Sequence, residues 1–423
     1  MIETNFKHTD IGPIPHDWEI TPLNELFEFG NGYTPSTENP KFWSNRGLPW
    51  FKMEDIRKNG RILSDSILHI TPEAVKSSGL FPAGSFIIST TATIGEHAWL
   101  IADSLANQRF TFLKKGKSLK DIDSWYFFFK LFEIGEWCRN NVSKSTLMSV
   151  NMTGLKSYLV SHPSDKKEQQ RIGKALSDVD GLIEGLRKLI DKKSNIKQGA
   201  MSRLLSGSLR IPGFNKPWVT RTLGEIGHLI PNNSLSWEYM TNSGKVANIH
   251  YGHILTRFGA IVDVSYTQLP YVEKNSEARF HKGNMANDGD IIFADTAEDD
   301  TVGKAVELIN IGSKHVVSGL HTFWFRPDVA FAHSFLGYAV NGETFHSQIP
   351  LLATGTKVSS ISKPNLLKLE LHYPTDLAEQ SAIAKVLADM DAEIEGLEKK
   401  LTKYEQVKQG MMKQLLTGKI RLI

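Results

Sequence analysis

The stretch "EQQRIGKALSDVDGLIEGL", residues 168–186, returns as "EQSAIAKVLADMDAEIEGL", residues 379–397. Extended in both directions, residues 163–211 align with 374–422 without a gap, and roughly half the positions are identical. Pro163, Glu168, Gln169, Asp180, Lys197 and Gly207 recur as Pro374, Glu379, Gln380, Asp391, Lys408 and Gly418. So long a gapless match marks a duplication. The wide separation of the copies excludes a solenoid, whose repeats follow one another every 20–50 residues or so, and predicts two large halves.

Each copy reads as one long helix. Ile172, Leu176, Val179, Ile183, Leu186 and Ile190 are spaced alternately four and three residues apart, and Ile383, Leu387, Met390, Ile394, Leu397 and Leu401 repeat that spacing. This is a heptad seam whose narrow apolar stripe needs a partner stripe, and the other copy can supply it. Ser164 and Thr375 stand where an N-cap is expected, and Gly207 and Gly418 where a left-handed residue ends a helix. A generic core helix or an oligomerisation coil would show the same seam in a single copy; two copies favour an intramolecular antiparallel pair.

The likeness continues outside the helices. "GPIPHDWEITPLNEL" near the start resembles "GFNKPWVTRTLGEI" after the first helix, with Trp18 and Leu23 matching Trp218 and Leu223. "GSFIISTTATIGEHA" from Gly84 parallels "GDIIFADTAEDDTVGKA" from Gly289, each an apolar strand ending in a Thr-containing turn and a glycine. "NQRFTF" from Asn107 lies where "GLHTFWF" from Gly319 lies, and the tail "GKIRLI" echoes "GSLRIPGF". The expected order is a first module over 1–160, a central helix over 161–211, a second module over 212–371 and a C-terminal helix over 372–423. The fold class is mixed α/β: two α/β modules separated by two long antiparallel coiled-coil helices, pseudo-twofold and circularly organised, a dumbbell with neighbouring termini.

Composition narrows the function classes. Lys and Arg number 49 against 46 Asp and Glu, so any basic surface must be a local patch. The one cysteine, Cys138, excludes a disulfide framework and a Cys-based zinc site and fits a reducing, cytoplasmic setting. The N-terminus lacks the basic and apolar regions of a signal peptide. "WYFFFKLFEIGEW" is too short and too often charged for a membrane span and reads as a buried helix.

Catalytic motifs fail on inspection. "NPKF" at Asn39 lacks the second proline of an adenine methyltransferase tetrapeptide, and "GKS" at Gly116 lacks the leading glycine of a phosphate-binding loop. His250 and His253 have no third ligand at metal-binding spacing and read as a strand or turn pair, and "AEDD" from Ala297 reads as a solvated loop. What the modules do hold is polar clusters of the kind that contact phosphates and base edges. In the first these are Lys52, Arg57, Lys58, Asn59 and Arg61; Thr90, Thr91 and Thr93; Asn107, Gln108 and Arg109; and Lys144 with Ser145. In the second they are His250, Tyr251, His253 and Arg257; Asp295 and Thr296; His321; and Thr354, Gly355 and Lys357. Singly, each is an ordinary surface residue; their parallel placement in two modules is the signal.

The pattern "P-x-x-x-x-EQ-x-x-I", the heptad helix ending in "LL-x-G", their second appearance after a module beginning "P-W", and "GSFIISTTATIG" resemble the specificity subunit of type I restriction-modification systems over essentially the whole chain. The resemblance implies two target recognition domains, each reading half of a bipartite double-stranded DNA target. It implies that the helices dock two modification subunits, which carry S-adenosylmethionine and the adenine-methylating site, and that restriction subunits with ATP and Mg join them. This chain itself would then be no enzyme and hold no metal or cofactor. Two rivals remain at this level: a scaffold with two ligand-binding modules on a coiled-coil spacer, and a self-sufficient nuclease or methylase. One departure stands out, the acidic "AEDD" beside a strand end expected near DNA, which either meets cytosine amino groups or faces away.

Overall fold

The computed structural model describes residues 5–76, 79–116, 120–143, 148–276, 285–355 and 357–423. The chain divides into two units, one of Met1–Arg187 with Lys400–Ile423 and the other of Lys188–Lys399.

At the centre of the first unit is the strand Phe86–Ser89. It is buried along its whole length, because its alternate side chains enter two different cores. Phe86 and Ile88 pack with Phe27, Phe127 and Leu113, while Ile87 packs with Phe51, Leu63 and Phe112. A strand covered on both faces needs apolar residues at every position rather than at alternate ones. Its five-stranded sheet runs in the order Glu28–Asn31, Phe110–Lys114, Phe86–Ser89, His97–Leu100, Ile62–Leu63. A second sheet has the order Leu105–Ala106, Leu48–Phe51, Leu68–Ile70, Trp43–Ser44. The entering strand Trp18–Pro22 and the leaving strand Leu159–Pro163 pair antiparallel, so the module closes where the long helix begins.

The second unit repeats this topology strand for strand. Its five-stranded sheet is Gly227–Ile230, Thr322–Pro327, Ile291–Ala294, Ala305–Ile309, Ile261–Asp263, and its four-stranded sheet is His315–Ser318, Val246–Ile249, Tyr271–Val272, Met240–Thr241. Trp218–Thr222 pairs antiparallel with Glu370–Pro374. Both units are sheet-containing α/β modules, as the duplicated sequence predicts.

The "WYFFFKLFEIGEW" stretch lies within the helix Ser124–Asn140, whose Tyr126, Phe127, Phe129 and Leu131 are buried in the first unit. Lys130, which interrupts the apolar run, is buried too. Its ammonium donates to Glu133 at 2.8 Å, to Ser161 Oγ at 3.3 Å and to the Leu416 carbonyl at 2.9 Å, so all three N–H groups are used. The last contact places a cation at the C-terminus of a long helix, where the helix dipole favours it. Among the described residues no helix is long and apolar enough to cross a membrane.

The two long helices are Lys166–Leu205 and Leu377–Leu415, of 40 and 39 residues. Their N-caps fall one residue later than the sequence suggests. Asp165 Oδ1 accepts the Lys167 N–H at 2.9 Å and Asp376 Oδ1 accepts the Ala378 N–H at 3.1 Å. Ser164 and Thr375 instead donate their hydroxyls backward, to the carbonyls of Asp17 and Pro217. Gly207 and Gly418 adopt φ of 70° and 69°, the left-handed conformation that ends a helix at little cost for glycine.

Within the first unit Asp180 pairs with Lys408 and Arg187 with Glu405; within the second Lys193 pairs with Glu393 and Lys197 with Asp391. In each unit one number falls as the other rises, so the helix segments run antiparallel. The seam is unevenly buried. Ile172, Leu176, Ile183 and Leu186 in the first unit and Ile383 and Leu387 in the second are buried. Val179, Ile190, Met390, Ile394, Leu397 and Leu401 are half-exposed. Ile172 and Leu176, like Ile383 and Leu387, pack into a module core, whereas a two-helix seam alone covers only one face of each side chain.

The deepest part of the duplication is a pair of ionic locks that were not singled out from the sequence. In the first unit Arg421 makes a bidentate pair with Glu168, Nε to Oε1 at 2.6 Å and Nη2 to Oε2 at 2.7 Å, and a second one with Asp17 at 2.9 and 2.7 Å. In the second unit Arg210 grips Glu379 in the same way at 2.9 and 2.6 Å, and Trp218 Nε1 lies 3.4 Å from that carboxylate. Gln169 and Gln380, next along each helix, donate to the carbonyls of Pro163 and Pro374, both at 2.8 Å. The "EQ" of the repeat is thus a buried acid awaiting an arginine and an amide that fixes the preceding strand. The signal was present, since Arg210 and Arg421 occupy aligned positions in the two tails. The tail of the chain therefore packs beside its own beginning, as the circular order implies.

Candidate nucleic-acid interface

In the first unit the polar clusters converge on the turn after Phe86–Ser89. The Thr90 N–H donates to the Arg109 carbonyl at 3.0 Å, and the Thr90 carbonyl accepts the Val150 N–H at 2.9 Å. Thr91 bridges to Ser149. The Asn107 N–H donates to Phe51 at 3.0 Å, directly before Lys52, and Thr93 shares a cavity with Arg57 of the helix Met53–Asn59. Four segments far apart in sequence thus form one rim at one end of the sheet.

Not every candidate faces outward there. Thr90 is buried and its hydroxyl lies 3.0 Å from that of Thr111, and Thr93 Oγ1 is buried without a hydrogen-bond partner among the described residues. Arg61 is committed to the fold: its guanidinium pairs with Glu96 at 2.7 Å and donates to the His97 carbonyl at 3.0 Å. Lys52 spends its N–H on Asp55, 2.6 Å away, and its ammonium lies 3.5 Å from Glu54. Arg57, Lys58, Asn59, Gln108 and Arg109 are exposed. Lys144 and Ser145 lie outside the described residues, as do Lys117 and Ser118 of "GKS". Asn39 of "NPKF" accepts the Lys41 N–H at 3.1 Å, which makes that tetrapeptide a capped turn.

The second unit builds the same rim with the same hydrogen bonds. The Asp295 N–H donates to the His321 carbonyl at 3.2 Å, the Asp295 carbonyl accepts the Ile361 N–H at 3.0 Å, and Thr296 pairs with Ser360. The Gly319 N–H donates to Ile249 at 2.9 Å, directly before His250. By these bonds Lys52 corresponds to His250, Thr90 to Asp295, and Arg109 to His321.

The chemistry at matched places differs. His250 caps the helix Tyr251–Thr256, accepting the Gly252 N–H at 3.1 Å, so His250 and His253 lie at the start of a short helix rather than on a strand or turn. The rings of His250 and His253 stand 5.1 and 5.2 Å from that of Trp237, an exposed residue passed over in the sequence. Burial pushes both imidazoles below the usual histidine range, which keeps them neutral. Tyr251 meets the His321 ring edge-on at 5.3 Å. His321 Nδ1 lies 3.6 Å from Asp295 Oδ1, close enough for an ion pair but too long for a hydrogen bond. Burial raises the Asp295 carboxyl above its ordinary range.

Thr354 exchanges both backbone hydrogen bonds with Ser360, and Gly355 has φ of 123° where a Cβ would come within 1.9 Å of the Val358 carbonyl. Only glycine fits that turn. Lys357 and Arg257 are exposed. In "AEDD", Asp299 turns back to accept from the Thr301 N–H and hydroxyl. Asp300 lines a cavity with Lys197 and Met201 of the central helix. Asp299 thus serves its own turn and Asp300 stands beside the central helix, while Glu298 is exposed.

Residues 15–192 match the family model of the type I restriction modification DNA specificity domain. The specificity subunit of the type I restriction enzyme EcoprrI from Escherichia coli is 48% identical over 164 residues, covering 38% of this chain and 40% of that protein. The chain thus spans less than half the length of that relative. The putative type I restriction enzyme MjaX specificity subunit from Methanocaldococcus jannaschii is 27% identical and covers 99% of this chain and 97% of its own length. Among solved structures, the type I restriction-modification S subunit from M. genitalium aligns with a TM-score of 0.58 at 14% identity, over 98% of this chain and 97% of that one, a likeness of fold. The class is a two-module α/β protein joined through long helices. The chain is similar to type I restriction-modification specificity subunits, closely over part of its length and more distantly over nearly all of it.

Proposed function

We propose that this chain is the DNA-reading subunit of a type I restriction-modification complex, without catalytic activity of its own, and that each unit reads one half of a bipartite double-stranded target. The observation that carries this reading is the repeated rim: the same backbone hydrogen bonds hold Thr90 and Asp295, and Arg109 and His321, while the side chains displayed differ. A constant frame with variable tips suits two readers of different sequence. In the first unit the exposed Arg57 and Lys58 serve phosphates, while Gln108 and Arg109 approach base edges. In the second, Arg257 and Lys357 serve phosphates, while the aromatic and histidine surface meets the bases.

The long helices dock the modification subunits, which bring S-adenosylmethionine, and through them restriction subunits with ATP and Mg. Two exposed apolar residues seven apart on the central helix, Leu189 and Ile196, lie off the seam and give a partner something to cover. The recognition domains correspond to about residues 1–160 and 212–371 and the helical segments to 161–211 and 372–423. The setting is the cytoplasm.

The test is methylation mapping on DNA treated with this chain plus its modification subunits. A bipartite motif is expected, and exchanging residues 1–160 for those of another family member should change one half alone. A scaffold for proteins or glycans would instead show no duplex binding whose log affinity falls linearly with log salt. Methyl transfer by this chain alone would point to a self-sufficient enzyme.

A further inference from the structure

Resting on the reading just given, the rim can be narrowed to one position in each unit. Residues 107–109 form the turn between Leu105–Ala106 and Phe110–Lys114, and the backbone N–H and C=O groups of Asn107 and Arg109 are all held. Besides the bonds to Phe51 and Thr90, the Arg109 N–H donates to Asn107 Oδ1 at 3.1 Å and the Phe110 N–H to the Asn107 carbonyl at 3.2 Å. Thr34 donates to Gln108 Oε1 at 2.6 Å, which ties down the amide oxygen of this exposed side chain. Gly32 lies directly beneath, where a Cβ would stand 2.2 Å from the Asn107 carbonyl. The turn rests on a pedestal that admits no side chain. From it the exposed Arg109 guanidinium meets no acidic or polar side chain among the described residues.

The second unit supports its turn from the same side with different atoms. Asn232 Nδ2 donates to the Gly319 carbonyl at 3.1 Å, and the Asn233 N–H donates to Ser318 at 2.9 Å. His321 takes φ of 55°, unusual for a residue with a Cβ, and its ring is exposed between Tyr251 and Asp295. With Nδ1 turned to the carboxylate, Nε2 points away from it.

We propose that Arg109 reads a guanine in the half-site of the first unit and that His321, on the matched frame, is the base-reading residue of the second. Arginine offers a planar fork of donors that matches the O6 and N7 acceptors of guanine in the major groove, a pattern no other base presents. A phosphate contact needs only charge, which Arg57 and Lys58 supply from a helix surface. A pinned backbone matters where the angle of approach matters, as at a base edge. At His321, in the tautomer that turns Nδ1–H to the carboxylate, the outward Nε2 is an acceptor, suited to an exocyclic amino group of adenine or cytosine.

The experiment is binding selection on a library with both half-sites randomised, using this chain assembled with its modification subunits. Wild type is compared with Arg109→Lys, Arg109→Ala and His321→Ala. Arg109→Lys keeps the charge and loses the fork, so preference for one guanine of one half-site should fall by about 10- to 100-fold while the other half stays as in wild type. His321→Ala should relax one position of the other half only. Should Arg109→Ala prove unstable, the lysine variant still decides. Equal weakening on all sequences would make Arg109 a phosphate contact and overturn the assignment, as would an unchanged motif. A wild-type complex without sequence preference would overturn the reading of the whole chain instead, so the two failures are distinguishable.

Discussion

Trp99 and Glu307 occupy the same place in the two units, on the strand beside the central one, opposite Phe86 in the first and Ile291 in the second. Around Trp99 the first unit gathers aromatic rings, Trp125 edge-on at 5.0 Å and Phe86 and Phe128 tilted at 5.7 and 6.2 Å. Around Glu307 the second unit builds a polar cap, its carboxylate accepting the N–H groups of Ser334 and Gly337, both at 2.7 Å, at the start of the helix Phe335–Asn341. One sheet topology thus tolerates a tryptophan against a 17-residue helix or a buried acid under a seven-residue one. Strand order, the backbone bonds of the rim and the arginine–glutamate pair of each lock did not vary with it. Backbone pairing and the helix junctions therefore specify this module, whereas the layer that covers the sheet is replaceable provided it seals the apolar face and satisfies what it buries.

The locks offer the hardest blow to that view. Glu168 is 1% exposed and Arg421 answers it while also holding Asp17, so Arg421→Ala leaves a buried carboxylate unpaired and should cost about 3–5 kcal/mol. Asp17 sits below the usual carboxylate range because of its hydrogen bond to Arg421 and should return toward it in that variant. Arg210→Ala should cost less, since that guanidinium is more exposed and Glu379 keeps Trp218 nearby. Amide exchange in the strands Trp18–Pro22 and Trp218–Thr222 reports each unit separately. Equal losses, or a larger one for Arg210→Ala, would show that burial of the arginine does not grade the locks.

The covering layers should respond to pH with opposite signs. Burial holds His97 down to about 3 from an ordinary 6.5, so the folded unit disfavours its charged form. Its contribution is fully present above about 6.5 and is lost as pH falls toward 3, by roughly 4 kcal/mol across that window. Burial pushes Glu307 up to about 7 from 4.5 despite the backbone donors around it. Its contribution is fully present below about 4.5 and is lost as pH rises through 7, by about 3 kcal/mol. Exchange protection of His97–Leu100 should therefore fall on acidification, and that of Phe335–Asn341 should rise. His97→Gln and Glu307→Gln should each flatten one slope and leave the other. Slopes of the same sign would remove the physical contrast drawn between the two layers.

The fold was largely legible because its strongest signals are local or repeated. The heptad spacing of Ile172 to Ile190 gives a helix from periodicity alone, and the second copy supplies both its partner and the circular order. The rim was half legible. The right segments stood out by composition, but Arg61 and Lys52 were indistinguishable from Arg109 in sequence, since only the folded chain places Glu96 and Glu54 beside the first two. The cap positions slipped by one residue because serine, threonine and aspartate all suit an N-cap, and the choice was made by distant carbonyls at Asp17 and Pro217. Trp237 went unnoticed because nothing local announces that an exposed tryptophan will stand against two histidines.

The smallest effect should come from the helix pairs, where the units are nearly alike. Lys408 pairs with Asp180 in the first, and its ammonium lies 5.7 and 5.2 Å from the rings of Phe129 and Phe132. Lys197 pairs with Asp391 in the second and lies 5.7 Å from the Tyr338 ring, whose hydroxyl also donates to Asp391 at 2.8 Å. Partly exposed ion pairs contribute about 0–1 kcal/mol, and a cation over an aromatic face adds a similar amount. Methionine retains the stem that packs along the helix and removes the charge, so Lys408→Met and Lys197→Met should each shift stability by about 1 kcal/mol or less. A difference between them can still arise at the acid left behind. Asp391 keeps a donor in Tyr338, whereas the bond from Lys408 is the one described for Asp180. Lys408→Met should therefore be the more damaging of the two, and adding Asp180→Asn should recover part of its loss, while Asp391→Asn added to Lys197→Met should recover less. Equal recovery in both double variants would show that Tyr338 does not stand in for the missing lysine.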